Sequence, residues 1–150
     1  MRVALVSILI AAGLSACTLP DPASGIPESW HLSLEVSGGL AGIHRQLTLS
    51  SLGELVATDH NTATVVALQI SAAELIEVAN LVSRIQLAAT APAGSLPPCN
   101  DCFEYTLGIS LGREQIEIVA NDISLADSPF APLVSKLNDL LQKALTGDVD

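Results

Sequence analysis

Positive charge is scarce in this chain. Six Lys and Arg stand against sixteen Asp and Glu in 150 residues, a formal charge of −10 at pH 7. Such a surface repels phosphate, which argues against nucleic acid as a ligand and leaves solubility, or a basic partner, as the meaning of the acidity. Long hydrophobic runs are missing too. The apolar stretch VALVSILIAAGL at 3–14 is too short, with its flanks, to span a bilayer. GxSxG spacing occurs once, as Gly108-Ile109-Ser110-Leu111-Gly112, but inside the strand-like FEYTLGISL and its turn and not at a strand-to-helix elbow, so a serine hydrolase of that type is not expected. No Gly-Lys-Ser/Thr is present. The glycine-rich SGGLAGI at 37–43 lies between two strand-like segments and not at a strand-to-helix turn, so it does not read as a nucleotide or phosphate loop. Cysteine is limited to three positions, 17, 99 and 102.

The first of these ends a leader. Met1-Arg2 is a short basic start, the apolar stretch follows, and Leu14-Ser15-Ala16-Cys17 closes it. This pattern resembles the lipobox of bacterial lipoproteins. The resemblance implies cleavage after residue 16, a lipid on the Cys17 sulfur and an extracytoplasmic, membrane-anchored protein. Acyl chains hold because each buried methylene contributes roughly 0.8 kcal/mol. Residues 17–29, including TLPDPASGIPES with its three prolines, read as a flexible tether. Residues 30–150 are then one domain with a modest core. Loss of Arg2 with the leader leaves five basic against sixteen acidic residues, a charge of −11.

The other two cysteines form CNDC, 99–102. Outside the cytoplasm such a pair reads as a small-loop disulfide that pins a turn. A thioredoxin-like redox pair would open a helix, whereas this one follows SLPP and precedes the strand-like FEYTLGISL. Zinc would need two more ligands, and the three histidines are distant in sequence.

Periodicity organises the domain. Trp30, Leu32, Leu34 and Val36 alternate with His31, Ser33, Glu35 and Ser37, which predicts a half-buried strand. Ile43, Leu47 and Leu49 mark a second strand, whose apolar face Arg45 interrupts. ELVATD and ATVVALQI, separated by HNT, mark a third and a fourth. The period then changes. Ser71-Ala72-Ala73-Glu74 is a capping-box pattern, and Leu75, Ile76, Val78, Ala79, Val82 and Ile85 mark a helical face that ends near Leu87. Phe103 to Leu111 and Ile116 to Ala120 read as a hairpin about GRE. A last helix has Ser128 or Asp127 as cap, Pro129 first, a stripe from Phe130 to Leu145, and an Asp139–Lys143 pair. The order ββββ-α-ββ-α predicts an α+β fold: an antiparallel sheet with two amphipathic helices packed on one face.

Chemistry is sparse on this frame. His31, His44 and His60 fall on solvent faces or in a turn. His31 and His44 become cross-strand neighbours if the glycine corner pairs their strands, a weak metal pair at best. Glu74 and Glu77 fall on the exposed side of their helix, where a solvated face is the simpler reading than acid–base work. The reading is a binding protein, not an enzyme, with no metal and no cofactor.

SGGLAGIHRQLTL, ISAAELIEVANLV, FEYTLGISL and VANDISLADSPFAPLVSKLNDLL, taken together over roughly 32–145, resemble the emfourin-type family. Those are small bacterial proteins named for an inhibitor of protealysin, a thermolysin-like zinc metalloprotease. This chain departs from the pattern in its lipobox and tether, in CNDC, and in Leu40, where the pattern favours a larger apolar residue. The resemblance implies occlusion of a protease cleft by the corner Ser37, Gly38, Gly39, Leu40, Ala41 and Gly42. Two alternatives stay open. In one, the corner glycines serve the turn alone, supplying positive φ and close approach. In the other, the protein is a lipid-anchored envelope interaction or structural module with no protease target.

Overall fold

The alternation read along each segment becomes a single six-stranded sheet. A computed structural model describes residues 29–85 and 96–147. The leader, Cys17, the tether up to residue 28 and the helix end expected at Leu87 lie outside the described residues. Six strands form in chain order: β1 (Trp30–Gly38), β2 (Ile43–Ser50), β3 (Glu54–Asp59), β4 (Thr64–Gln69), β5 (Phe103–Leu111) and β6 (Glu114–Asn121). They lie side by side as β4-β3-β2-β1-β5-β6, and every neighbouring pair is antiparallel. With helices on one face, this is the expected α+β fold.

Register explains why one face is dry. Leu32 stands opposite Leu49 on one side and Ile109 on the other, and Leu34 opposite Leu47 and Leu107. Opposed residues share a face, so apolar rows run across the sheet. Leu32, Leu34, Leu47, Leu49, Leu55, Leu107 and Ile109 are buried. Each such side chain contributes about 1.5–3 kcal/mol by leaving water.

The helices cover that face. α1 (Ala72–Ile85) opens on the predicted capping box: the Ser71 hydroxyl accepts from the Glu74 amide, and the Glu74 carboxylate accepts from the Ser71 amide. Its buried stripe is Val78, Val82 and Ile85, while Ile76, expected on that face, is 63 % exposed. A short helix, α2 (Asp122–Ala126), was not anticipated; Asn121 caps it through a box with Ser124. α3 (Ala131–Thr146) starts later than expected. Phe130 is its N-cap and Pro132 lies in its first turn, while the Ser128 hydroxyl accepts from the Phe130 amide just ahead of the helix. Pro129, expected to open the helix, precedes its N-cap because the chain first turns through Ser128. Leu133, Val134, Leu137, Leu140, Leu141 and Ala144 are its buried side. Gly147 closes it with φ +79°.

Charge tethers the helices to each other. Lys136 pairs with Glu77 at 2.6 Å and Lys143 with Glu74 at 3.6 Å. Lys143 therefore reaches across to α1 and not along α3 to Asp139. The break that Arg45 makes in the apolar face has a reason as well. At that end of β2 its guanidinium donates to Asp59 at 2.9 Å and to Gln142 of α3 at 2.8 Å, which ties sheet to helix. Among the described residues no helix is long and apolar enough to cross a membrane.

Candidate functional site

The corner between β1 and β2 is built by three glycines with positive φ: Gly38 at +97°, Gly39 at +69° and Gly42 at +57°. The Gly42 amide donates to the Gly39 carbonyl at 3.0 Å and closes the turn around Leu40 and Ala41. Leu40 is 90 % exposed, an aliphatic side chain held in water at the tip.

The corner is braced from two sides. On one side stands the CNDC loop. Cys99 and Cys102 lie within disulfide reach, Cα to Cα 5.8 Å. The Gly39 amide donates to the Cys102 carbonyl at 3.0 Å. A Cβ on Gly38 would sit 2.6 Å from that same carbonyl oxygen, and one on Gly39 would sit 2.5 Å from Cε1 of Phe103. The glycines thus allow an approach no other residue permits. On the other side stands the β3–β4 turn. The Asn61 side chain donates to the Gly42 carbonyl at 3.0 Å and accepts from the His44 amide at 2.8 Å, and the His60 amide donates to the His44 carbonyl at 2.9 Å. Behind the loop, Asp122 fixes the start of β5, accepting from the Phe103 amide at 2.8 Å and from the Tyr105 hydroxyl at 2.9 Å. Burial and the Asp122 carboxylate push the Tyr105 phenol up to about 12. Beneath the β3–β4 turn, burial opposes the charge on Asp59. The Arg45 guanidinium and the amides of Thr62 and Asn61 outweigh it and hold that carboxyl below its ordinary value.

The histidines fall differently from the expected pairing. His31 stands opposite Ser50, and His44 opposite Ser37, so the two are not cross-strand neighbours. The corner is short, which puts its nearest residues, and not the strand ends, into register. His44 instead stacks on His60 with ring centroids 4.2 Å apart, and its Nε2 lies 3.0 Å from the Glu35 carboxylate. Among the described residues no group of three or more His, Cys, Asp or Glu side chains is arranged to hold a metal ion. His31 lies in an open groove of about 540 Å³ on the sheet face opposite the helices, with Ser33, Thr48, Ser110 and Glu117.

The structure therefore gathers Ser37 to Gly42, Cys99 and Cys102 at one end of the sheet and leaves His31 elsewhere. Glu74 and Glu77 serve as helix-to-helix ion-pair partners. Sequence reading missed Asn61, Phe103 and Asp122 as braces. The signal for the last was NDIS, a second cap-like spacing that repeats the logic of SAAE. What the arrangement can do is present a rigid, uncharged, apolar-tipped corner to a partner. A scan against protein-family models finds no match to the chain, and a search of the curated proteins finds none.

Proposed function

We propose that this chain is a lipid-anchored, extracytoplasmic binding protein whose Ser37–Gly42 corner occludes the cleft of a thermolysin-like zinc metalloprotease. The observation that carries the reading is Leu40, 90 % exposed at the tip of a corner tied down on both sides. An aliphatic side chain kept in water at this fixed point gains by entering an apolar pocket. Because the bracing orders the corner beforehand, little conformational entropy remains to be lost on docking. The corner 36–43 carries no charge in an acidic chain, so it approaches a cleft without desolvating an ion. The resemblance of the chain to emfourin-type inhibitors supplies the class of target. A tether of residues 17–29, anchored through Cys17, would hold the corner near the membrane surface.

The test is inhibition. The chain from residue 17 onward, with Cys17→Ser so that no lipid is attached, is titrated against several thermolysin-like proteases. Slowing at micromolar protein is expected. Leu40→Ala should weaken inhibition roughly 30-fold, the equivalent of about 2 kcal/mol for one buried leucine. If none of the proteases slows, the inhibitor reading is wrong and the envelope interaction module takes its place. The anchor is tested separately: Cys17→Ser in the full chain should move the protein out of the membrane fraction.

A further inference from the structure

The two edges of the sheet are not alike. β6 presents EQIEIVAN, with Glu114 and Glu117 along its length. β4 presents TVVALQ, with no charge, no proline and no glycine. β4 pairs only with β3, so its outer row of amides and carbonyls has no strand partner among the described residues. Charges, prolines and bulges are the usual means of keeping such an edge from pairing with another chain, and β4 carries none of them. Its side chains are incompletely covered as well. Val66 and Leu68 stand opposite Ala57 and Leu55, which are buried at 0 % and 1 %, yet both remain only half-buried. On the other face Val65 is 65 % exposed.

We infer that β4 is a homodimer edge: a second copy of this chain adds its own β4 antiparallel, making one continuous twelve-stranded sheet. Charge selects this occupant and this place. Two copies of a chain with net charge −10 repel over most of their surfaces, and the repulsion is weakest where neither brings a charge. Residues 61–73, NTATVVALQISAA, contain no charged residue and span the whole of β4. The strand also suits itself. An antiparallel pair of this kind has its two-fold axis perpendicular to the sheet, so both helical layers fall on one side. Val66 and Leu68 of each copy then extend the apolar row of the other, while about six backbone hydrogen bonds close the free edge. The two Ser37–Gly42 corners end up pointing in opposite directions. This inference does not rest on the protease reading.

The test is mass in solution. The chain from residue 17 with Cys17→Ser, at tens of micromolar in sedimentation equilibrium, should show twice the monomer mass. Its dissociation constant should fall as salt rises, because screening removes the repulsion between acidic copies. Val65→Lys places a charge on an already exposed edge site and should raise the dissociation constant by about tenfold or more, while in samples dilute enough to be monomeric its circular dichroism melt matches that of the unsubstituted chain. Val119→Lys, at a site on β6 that is also exposed, at 45 %, should leave dimerisation as it was. Hydrogen exchange should protect the outward β4 amides at high protein concentration and release them on dilution. A monomer at all concentrations overturns the inference, as does a dimer lost with Val119→Lys but kept with Val65→Lys. Protection of β4 that does not respond to dilution also overturns it, since the edge is then covered by a segment of the same chain.

Discussion

Replacing the corner glycines one at a time separates backbone strain from close approach. All three have positive φ, which costs a residue with a Cβ about 1–2 kcal/mol. At Gly42 that is the whole cost, because an added Cβ meets nothing within 4 Å. At Gly38 the Cβ would stand 2.6 Å from the Cys102 carbonyl oxygen, a backbone atom held by its own loop. Relieving that contact must shift β1 against β5, an overpacking cost of about 1–3 kcal/mol on top of the strain. Gly42→Ala should therefore lose about 1 kcal/mol and Gly38→Ala about 3 kcal/mol. With a urea slope of about 1.5 kcal/mol/M, these become midpoint shifts of about 0.7 M and about 2 M. Gly39→Ala should fall between them, since its obstacle is the rim of the Phe103 ring, which can swing. The assay is urea denaturation of the unlipidated chain followed by circular dichroism. Equal losses at 38 and 42 would refute the claim that the CNDC loop presses on the corner, as would Gly38→Ala costing less than Gly42→Ala.

Tyr105 is the one tyrosine in the chain, so ultraviolet titration reads it alone: ionisation is expected near 12, and Asp122→Asn should lower it. Because its folded value lies above the ordinary 10, the stability it contributes is present below pH 10 and should drain away as pH rises toward 12. Asp59 has the opposite sign. Its carboxyl is held below the ordinary 3.8, so its contribution is present above that value and lost as pH falls below it. Asp59→Asn should accordingly destabilise at pH 7 but lose its effect in urea melts run progressively below pH 4. Ser71→Ala removes the cap of α1 and should cost about 1 kcal/mol in the same melt. Replacing Cys99 and Cys102 together by Ser should cost about 2 kcal/mol at most, the chain-entropy value for so small a loop.

Strand and helix periods were legible because they depend on which side chains must leave water. Leu32, Leu34, Leu107 and Ile109 carry a two-residue alternation that no helix satisfies, and Val78, Val82 and Ile85 carry a turn-length spacing that no strand satisfies. The start of α3 was misread because Ser128 and Pro129 are a plausible cap and first residue in isolation. There the chain makes one more turn first, with the Ser128 carbonyl accepting from the Ala131 amide. Ile76 was misplaced because helical spacing alone leaves the width of a buried stripe open, and the core that α1 joins buries only Val78, Val82 and Ile85. The Asp139–Lys143 pair failed for a related reason. An i,i+4 rule counts only neighbours along one helix, while Glu74 waits across on α1.

The candidate site was legible residue by residue but not as a unit. SGGLAG and CNDC are about sixty residues apart and were two separate features on paper, the second a departure from the family pattern that the first evoked. Register joins them. β1 pairs with β5 so that Gly38 stands opposite Phe103, which brings the residue just before Phe103, Cys102, against the corner. Two of the three glycines answer to that meeting: an added Cβ at 38 or 39 runs into Cys102 or Phe103, while one at 42 finds open space. Glycine at 38 and 39 is therefore required by the turn and by a neighbour at once, and glycine at 42 by the turn alone. The same logic separates bracing from docking. Gly38, Gly39 and Cys102 face inward and hold the corner; Leu40 touches nothing that would need a leucine. A side chain whose identity the fold does not use is where a partner's demand would be written, so substitutions at 40 should alter binding and leave the urea midpoint in place.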